Sequence, residues 1–565
     1  MLAINPIKNR ENYVELKDGW EFSFDNSEWQ TINVPFCPQS KLSGIEFTDF
    51  IPVCYYKKSF TVAKTESRTI LHFGAVDYRC IVYLNGRYVG MHVGGYTPFA
   101  FDITDFLSDE ENELRLTVYD NERYIAFGKQ SYKKNSFGCF YTRTTGIWQP
   151  VWLETVPKDH ILDFYFYPNI TDGTVDIDLS VVKEGSYQIT VFFDGRKVGN
   201  IGGEIAYRKR ITIPLSEKRL WQEGEGNLYD VEITYNGDKV TSYFGLREVK
   251  YDGYKFLLNG KETYQRLVLD QGFYPDGVYT APTLEDMQKD IDLARELGFN
   301  GSRLHEKVFD PRFLYLCDKA GHLVWGEYPS WGCDYSKTNG LGQFLTEWEE
   351  TVRRDFNHPS IITWCPLNEV WDDWEDVRKE RDVRWVDIVY SFTKNLDNTR
   401  PCIDTSGGHH GKETDLYDFH CYESLEKLEG YLTAFEKDGV LDVPLLYNRN
   451  DNYRYQAGVA VNLSECGGVR FAKGEEIEET ETVNEGAVQS EESWGYGKGT
   501  NNGDAFVSQY EALINLIYKY EKISGFCYTQ LYDIEQEQNG FYCYDRSYKL
   551  TEKQKEKIKR INTFK

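Results

Sequence analysis

The chain predicts a multidomain β plus α/β protein: an N-terminal jelly-roll β-sandwich, an immunoglobulin-like β-sandwich and a C-terminal (β/α)8 TIM barrel. Three observations carry that prediction. Up to about residue 248, short alternating strands recur with turn residues between them and no convincing helix. After Tyr251, helical periodicity sets in and alternates with short apolar runs. Eight such runs follow, the number a (β/α)8 barrel requires.

Residues 1–157 read as the jelly roll. Strands are expected at Tyr55–Val62, Thr69–Phe73, Cys80–Leu84 and Glu113–Val118, with Asn85-Gly86 as a hairpin turn. Residues 158–248 contain strands at Val175–Val182, Tyr187–Phe193, Lys209–Ile213 and Tyr229–Tyr235, a spacing that suits a small immunoglobulin-like sandwich. Residues 249–565 are assigned to the barrel. Its first helix is expected at Leu284–Leu297, with Thr283 as N-cap and Gly298 at the stop. Its strands are expected at Gln265–Leu269, Phe299–Leu304, Leu323–Glu327, Ile361–Leu367, Cys402–Ser406, Leu416–Cys421, Val459–Ser464 and Gly525–Gln530.

The composition, 41% hydrophobic and 16% aromatic, leaves ample material for large cores. Tyr and Trp, 42 and 13 in number, offer aromatic faces with a polar tip, which suit sugar rings. A net charge of −26 argues against nucleic acid and against an acidic membrane surface as partners. No apolar run approaches the roughly 20 residues of a membrane span, and the N-terminus shows no signal-peptide pattern. The 12 cysteines are scattered without a C-x-x-C pair, as small buried hydrophobes in a reducing compartment would be, so a cytoplasmic location is expected. The nine histidines form no metal-binding spacing, and no phosphate-binding glycine loop or serine elbow is present; no cofactor and no metal are expected.

Chemistry concentrates at strand ends. The run from Ile361 to Leu367 leads into Asn368-Glu369, and Val459–Ser464 leads into Glu465. Carboxylates at the carboxyl ends of barrel strands four and seven are the pair that glycosidic bond cleavage needs, one as acid/base and one as nucleophile. A like-charged partner and partial burial help an acid keep its proton near neutral pH. Asn368 is placed to hydrogen-bond a sugar hydroxyl. Arg303, ending strand two, can hold a nucleophilic carboxylate ionised. His305, His420 and Tyr422 also sit at strand ends and are candidate sugar contacts. The Glu-, Gly- and Thr-rich segment 473–503 follows Glu465 and is a candidate rim, with Trp494 and Tyr496 able to face the cleft.

With these residues in view, the chain resembles glycoside hydrolase family 2, which includes β-galactosidases, β-glucuronidases and β-mannosidases. The likeness runs through VYLNG at Val82–Gly86, GGYTPFAFDITDFL at Gly94–Leu107 and TTGIWQPVWLE at Thr144–Glu154. It continues through RDFNHPS at Arg354–Ser360, Asn368-Glu369, Ser464-Glu465 and the tail from Gln536 to Arg546, which contains Asn539. The resemblance implies Glu369 as acid/base and Glu465 as nucleophile, with Cys466 where the family usually carries an aromatic residue. Three departures bear on substrate. Asn539-Gly540-Phe541 lacks the lysine that β-glucuronidases use for the sugar carboxylate, so a uronic acid is disfavoured. Glu327-Tyr328-Pro329 replaces the Glu-x-His with which large β-galactosidases hold magnesium. Thr529 stands where a stacking tryptophan is usual, a change that could admit an arabinofuranoside or galactofuranoside.

The resulting expectation is a retaining exo-glycosidase that removes a terminal neutral sugar, β-galactosidase-like in the first instance. A furanosidase is an alternative within the family. A carbohydrate-binding protein without catalysis is the alternative of another class, and an enzyme cutting internal polysaccharide bonds is a third. The partner is a carbohydrate, and the resemblance adds the possibility of a homo-oligomer.

Overall fold

In the computed structural model, the structure describes residues 2–121, 125–336, 338–370, 384–444, 446, 453–472, 481–482 and 493–564. The first region is a sandwich of a six-stranded and a four-stranded antiparallel sheet. The larger sheet contains Val53–Phe60, Arg68–Phe73 belongs to the smaller, and Asn112–Tyr119 pairs with both Val53–Phe60 and Arg79–Leu84. Side chains alternate between buried and partly exposed along Asn112–Tyr119, the period-two pattern of a strand with one face on a core. Asn85-Gly86 forms the hairpin between Arg79–Leu84 and Arg87–Val93, and both residues have positive φ. The second region packs a three-stranded sheet on a four-stranded one, seven strands in all, around a core that includes Ile177, Ile189, Val231 and Phe244.

The barrel follows. Gln265–Asp270, Gly301–Leu304, Leu323–Glu327 and Ile361–Cys365 pair in parallel. Ile523–Thr529 and Ala460–Gly467 continue from the first strand on the other side, ending at Leu416–Cys421. Leu267, Leu269, Trp325, Ile362 and Cys527 face one apolar core with Phe256 and Leu258 of a small sheet. Val268, Val324, Trp364 and Leu463 alternate with them and face the helices. Thr283 caps the first helix, Leu284–Glu296, by accepting from the Asp286 amide, as its sequence position predicts.

The fifth strand is the exception. Cys402–Ser406 joins the fourth strand only through isolated bridges, Trp364 with Cys402 and Asn368 with Ser406. On its other side, side chains take the place of a ladder: the Cys402 amide donates to Asp415 Oδ2 at 2.8 Å and the Asp404 amide to Thr414 Oγ1 at 3.1 Å. Pro401, with no amide hydrogen, precedes it.

Buried polar contacts fasten the regions together. Arg10 binds Asp238 through Nε and Nη2 and Glu154 through Nη1 at 3.0 Å, tying the two sandwiches. Arg247 donates to the Pro359 and Ile361 carbonyls, and Tyr243 donates to Asp318 Oδ2 at 2.7 Å, tying the second sandwich to the barrel. A long segment of the first region, residues 125–148, lies against the barrel. The Phe127 and Gly128 amides donate to the Trp331 carbonyl, and the Trp494 indole donates to the Gly138 carbonyl. No helix of the described residues is long and apolar enough to cross a membrane.

Candidate active site

Glu369 and Glu465 converge at the carboxyl end of the barrel. Glu465 lies within the seventh strand and Glu369 four residues beyond the fourth. Glu369 adopts a left-handed φ of 49°, and its amide donates to the Ser406 carbonyl at 2.8 Å, so the irregular fifth strand fixes its turn. One oxygen of each carboxylate, with a ring nitrogen of His420, falls within 4.8 Å of the others.

Arg303 organises this cluster from below and is fully buried. Its Nε donates to Glu327 Oε2 at 2.6 Å, its Nη1 to Glu465 Oε1 at 2.9 Å and its Nη2 to Asn368 Oδ1 at 2.8 Å. The last bond orients the Asn368 amide: its oxygen is spent on the guanidinium, while its buried Nδ2 has no hydrogen-bond partner among the described residues. An unspent amide donor beside two carboxylates is available to a sugar hydroxyl. His305 places Nδ1 2.9 Å from Glu327 Oε1 and 4.0 Å from Glu465 Oε1. Tyr422 donates to Glu465 Oε2 at 2.6 Å, lies 2.9 Å from Thr529 Oγ1, and stacks on Tyr496 with ring centres 3.7 Å apart.

His420 bridges the pair. Its Nδ1 is 2.7 Å from Glu369 Oε1, and its Nε2 is 3.4 Å from Glu465 Oε1 and 3.1 Å from Ser406 Oγ. Burial works against a charged ring, but Glu465 and Glu369 outweigh it and raise the imidazole above its ordinary value. Burial likewise pushes Glu465 up, yet His420, Arg303 and His305 prevail and hold it well below the usual glutamate range. Glu465 therefore stays ionised near neutral pH. Gly407 makes this arrangement possible: with φ of 62°, it is the residue on which a Cβ would meet the His420 ring at 2.4 Å. Gly407→Ala is expected to displace that ring and lower kcat by roughly 10- to 100-fold through misplacement of the adjoining acid; unchanged kcat in the folded variant would count against His420 as a positioning residue.

Glu369, His420 and Glu465 are close enough together to ligate a cation. However, Arg303 Nη1 lies 2.9 Å from Glu465 and 3.3 Å from His420 Nε2, which sets a fixed positive charge beside that position. Glu327, the remaining carboxylate here, is already engaged by Arg303 and His305.

Of the residues singled out in the sequence, Arg303, Asn368, Glu369, His420, Tyr422 and Glu465 share one hydrogen-bonded cluster, and His305 lies at its edge. Trp494 and Asn539 stand outside it. Trp494 is buried with Phe137, Cys139, Phe140 and Trp331, and makes an edge contact with Tyr496, which stacks on Tyr422 of the cluster. Asn539 accepts from Gln530 and donates to Glu537 Oε1 at 2.8 Å. The segments 473–480 and 483–492 of the acidic loop lie outside the described residues.

Sequence reading did not single out a wall supplied by the first region. Tyr141 donates to Glu537 Oε2, and Gln271 donates to the Tyr141 hydroxyl at 3.0 Å. Lys129 lies over the Trp331 ring with Nζ 3.5 Å from its centre, and its charge is felt by Glu306, Glu369 and Glu465. The signal that could have pointed to these residues, an aromatic- and lysine-rich stretch between two strands, is indistinguishable in one sequence from an exposed loop.

Three family models match the chain in succession: "Glycosyl hydrolases family 2, sugar binding domain" over residues 17–157, "Glycosyl hydrolases family 2" over 159–247 and "Glycosyl hydrolases family 2, TIM barrel domain" over 249–556. A putative β-glucuronidase of Formosa agariphila is 28% identical over 421 residues, which is 68% of this chain and 48% of that protein. A β-galactosidase of Thermoanaerobacter pseudethanolicus is 27% identical over 451 residues, 74% of this chain and 57% of that protein. The chain thus spans about half the length of these curated relatives. Among solved structures, a β-D-glucuronidase of Dictyoglomus thermophilum superposes with a TM-score of 0.76 at 21% identity, covering 98% of both chains. A β-glucuronidase of Ruminococcus gnavus in complex with D-glucuronic acid gives 0.77 at 17% identity, covering 99% of this chain and 100% of that one.

Proposed function

The chain belongs to glycoside hydrolase family 2, and from that premise we propose that it is a retaining exo-glycosidase with Glu465 as nucleophile and Glu369 as acid/base. The observation that carries this reading is the separation of the two carboxylates. Oxygens within 4.8 Å leave no room for a water between carboxylate and sugar. Inverting enzymes need roughly 6.5–9.5 Å for that water, whereas retaining ones work at about 5–5.5 Å.

In the first step, a Glu465 oxygen attacks the anomeric carbon. The bond from that carbon to the glycosidic oxygen breaks, and Glu369 gives its proton to the departing oxygen. The product is an ester between the sugar and Glu465. In the second step, Glu369 takes a proton from water, the water oxygen attacks the same carbon, and the ester bond breaks to restore the Glu465 carboxylate. Arg303, Tyr422 and His420 keep Glu465 ionised and aimed; the Asn368 Nδ2 donor is free for a ring hydroxyl. His420, held between both carboxylates, senses the loss of negative charge when Glu465 becomes an ester.

For the sugar, two readings stand. The neutral, β-galactosidase-like reading rests on Asn539-Gly540-Phe541, which carries no cation, and accords with the name of the Thermoanaerobacter relative. The second reading is an acidic sugar, favoured by Lys129 at the pocket and in keeping with the β-glucuronidases among the similar proteins.

Incubation with 2-deoxy-2-fluoro glycosides bearing a good leaving group tests the reaction itself. A stable adduct on the peptide that contains Glu465 is expected, with loss of turnover in step with labelling. A label on another carboxylate, or hydrolysis with inversion of the anomeric centre, would overturn the assignment.

A further inference from the structure

Four lysines are buried among the described residues: Lys129, Lys307, Lys549 and Lys555. Three of them spend their protons on the protein. Lys307 donates to the Gly272 and Tyr279 carbonyls, Lys549 to Asp533 and two carbonyls, and Lys555 to Glu296. Lys129 is 6% exposed, and its Nζ makes neither a hydrogen bond nor an ion pair with any described residue; its contact is the face of Trp331, 3.5 Å from the ring centre.

The backbone beneath it is held firmly. The Lys129 carbonyl accepts from the Tyr141 amide, and Gln130 Nε2 donates to Asp77 Oδ2 and the Tyr96 hydroxyl, both at 2.8 Å. Gly128, with φ of 59°, packs so closely on the barrel that a Cβ there would lie 2.6 Å from the Glu306 carbonyl oxygen. The side chain is thus delivered to the barrel mouth by a rigid turn.

Burial works against the charge of Lys129, but Cys139, Glu369, Glu465 and Glu306 together hold it above the ordinary lysine value. The same ammonium helps to keep Glu465 ionised and draws Glu537 down. It therefore stands in the field of both proposed reacting carboxylates as a charged group with three unspent donors.

A neutral sugar needs only dipolar partners, and Asn368 Nδ2 already offers one. An acidic sugar has a harder task, since its carboxylate must enter a pocket that contains Glu369, Glu465 and Glu537. Like charges at such range repel strongly out of water. An unpaired ammonium at the wall is what removes that obstacle, and a carboxylate is the group that would complete its hydrogen bonding.

We propose that Lys129, reaching across from the first region, receives the carboxylate of a terminal uronic acid and selects uronosides over the neutral sugars of the same ring configuration. This rests on the glycosidase reading of the Glu369–Glu465 pocket. It replaces the premise of the neutral-sugar expectation: the cation missing beside Asn539 is supplied from a different domain.

The test compares 4-nitrophenyl β-D-glucuronide and β-D-galacturonide with the matching glucoside and galactoside, and an arabinofuranoside, on the wild-type chain, Lys129→Met and Lys129→Arg. The wild type is expected to favour one uronoside over its neutral partner by roughly 100-fold or more in kcat/KM, the scale of a buried charge pair. Lys129→Met should lose roughly 100-fold more on the uronoside than on its neutral partner, the difference lying chiefly in KM, while Lys129→Arg recovers part of that difference. A wild type that prefers a neutral sugar overturns the proposal, whether or not the variants fold. So does a folded Lys129→Met that loses equally on both members of a pair, because the ammonium then serves only the protein's own carboxylates. Failure of the underlying reading looks different: no glycoside in the panel is turned over and no fluorosugar labels Glu465.

Discussion

Glu465→Ala is expected to lower kcat by about 10^4-fold or more while the protein remains folded. The fold survives because Arg303 keeps its other partners: Glu327 at 2.6 Å and Asn368 at 2.8 Å still occupy two faces of the guanidinium. Without a carboxylate to form the ester, the first step has no nucleophile. A small anion such as azide should enter the vacated space and release a glycosyl azide of inverted configuration. Glu369→Ala is expected to differ in kind. Its loss falls heavily on substrates with poor leaving groups and lightly on dinitrophenyl glycosides, whose departing oxygen needs no proton. Azide should then yield the product of retained configuration, since Glu465 still forms the ester. Near-normal kcat in either folded variant, or the same azide product from both, would remove the assigned roles.

The second large effect belongs to Arg303→Met. The guanidinium is fully buried and pairs with two carboxylates, Glu327 and Glu465, that are themselves buried. Removing one member of such a set leaves uncompensated charge in the interior, with a cost of about 3–5 kcal/mol. A lowered urea midpoint for the barrel is the expected readout, and an unchanged midpoint would argue against the cluster as a stabilising unit. The pH profile should move as well. In the wild type, Glu465 is depressed below the ordinary glutamate value, so its ion pairs contribute fully above the unfolded-state value and are lost only as pH falls through the lower folded one. Activity that needs the ionised nucleophile therefore persists into acid. In the variant, the upward push of burial is still opposed by His420, His305, Lys129 and the Tyr422 hydroxyl, but no longer by the guanidinium. The acidic limb of kcat/KM is expected to shift upward by about one pH unit or more.

The readable parts of this chain were those governed by local pattern. Thr283 announces a helix start because its hydroxyl caps the first turn, and it does so in the structure. The strand candidates stand out because alternate residues face two apolar layers, as Leu267 and Val268 do. Glu369 and Glu465 were visible because each closes an apolar run at a strand end, and Arg303, His420 and Tyr422 because they share that rim. Cys402–Ser406 has the composition of a strand but not its ladder, because Asp415 and Thr414 take over the amides that a neighbouring strand would have bonded. Trp494 was a candidate cleft residue because its segment follows Glu465 in the chain, whereas its indole is spent on the Gly138 carbonyl. Lys129 and Tyr141 were invisible for a different reason. Their meaning comes from how one domain docks on another, and periodicity carries no information about docking.

That docking has a further consequence. A barrel separated near residue 249 would keep both acids on its own strands but lose one bank of the cleft, with Glu537 stripped of its tyrosine partner and Trp331 laid open to water. On the reading proposed above, the reacting pair and the lysine that would select for a carboxylate come from different domains. Changes confined to the amino-terminal quarter can retune preference while the reacting pair stays untouched, which makes residues 125–141 the natural place to diversify when new substrates are sought.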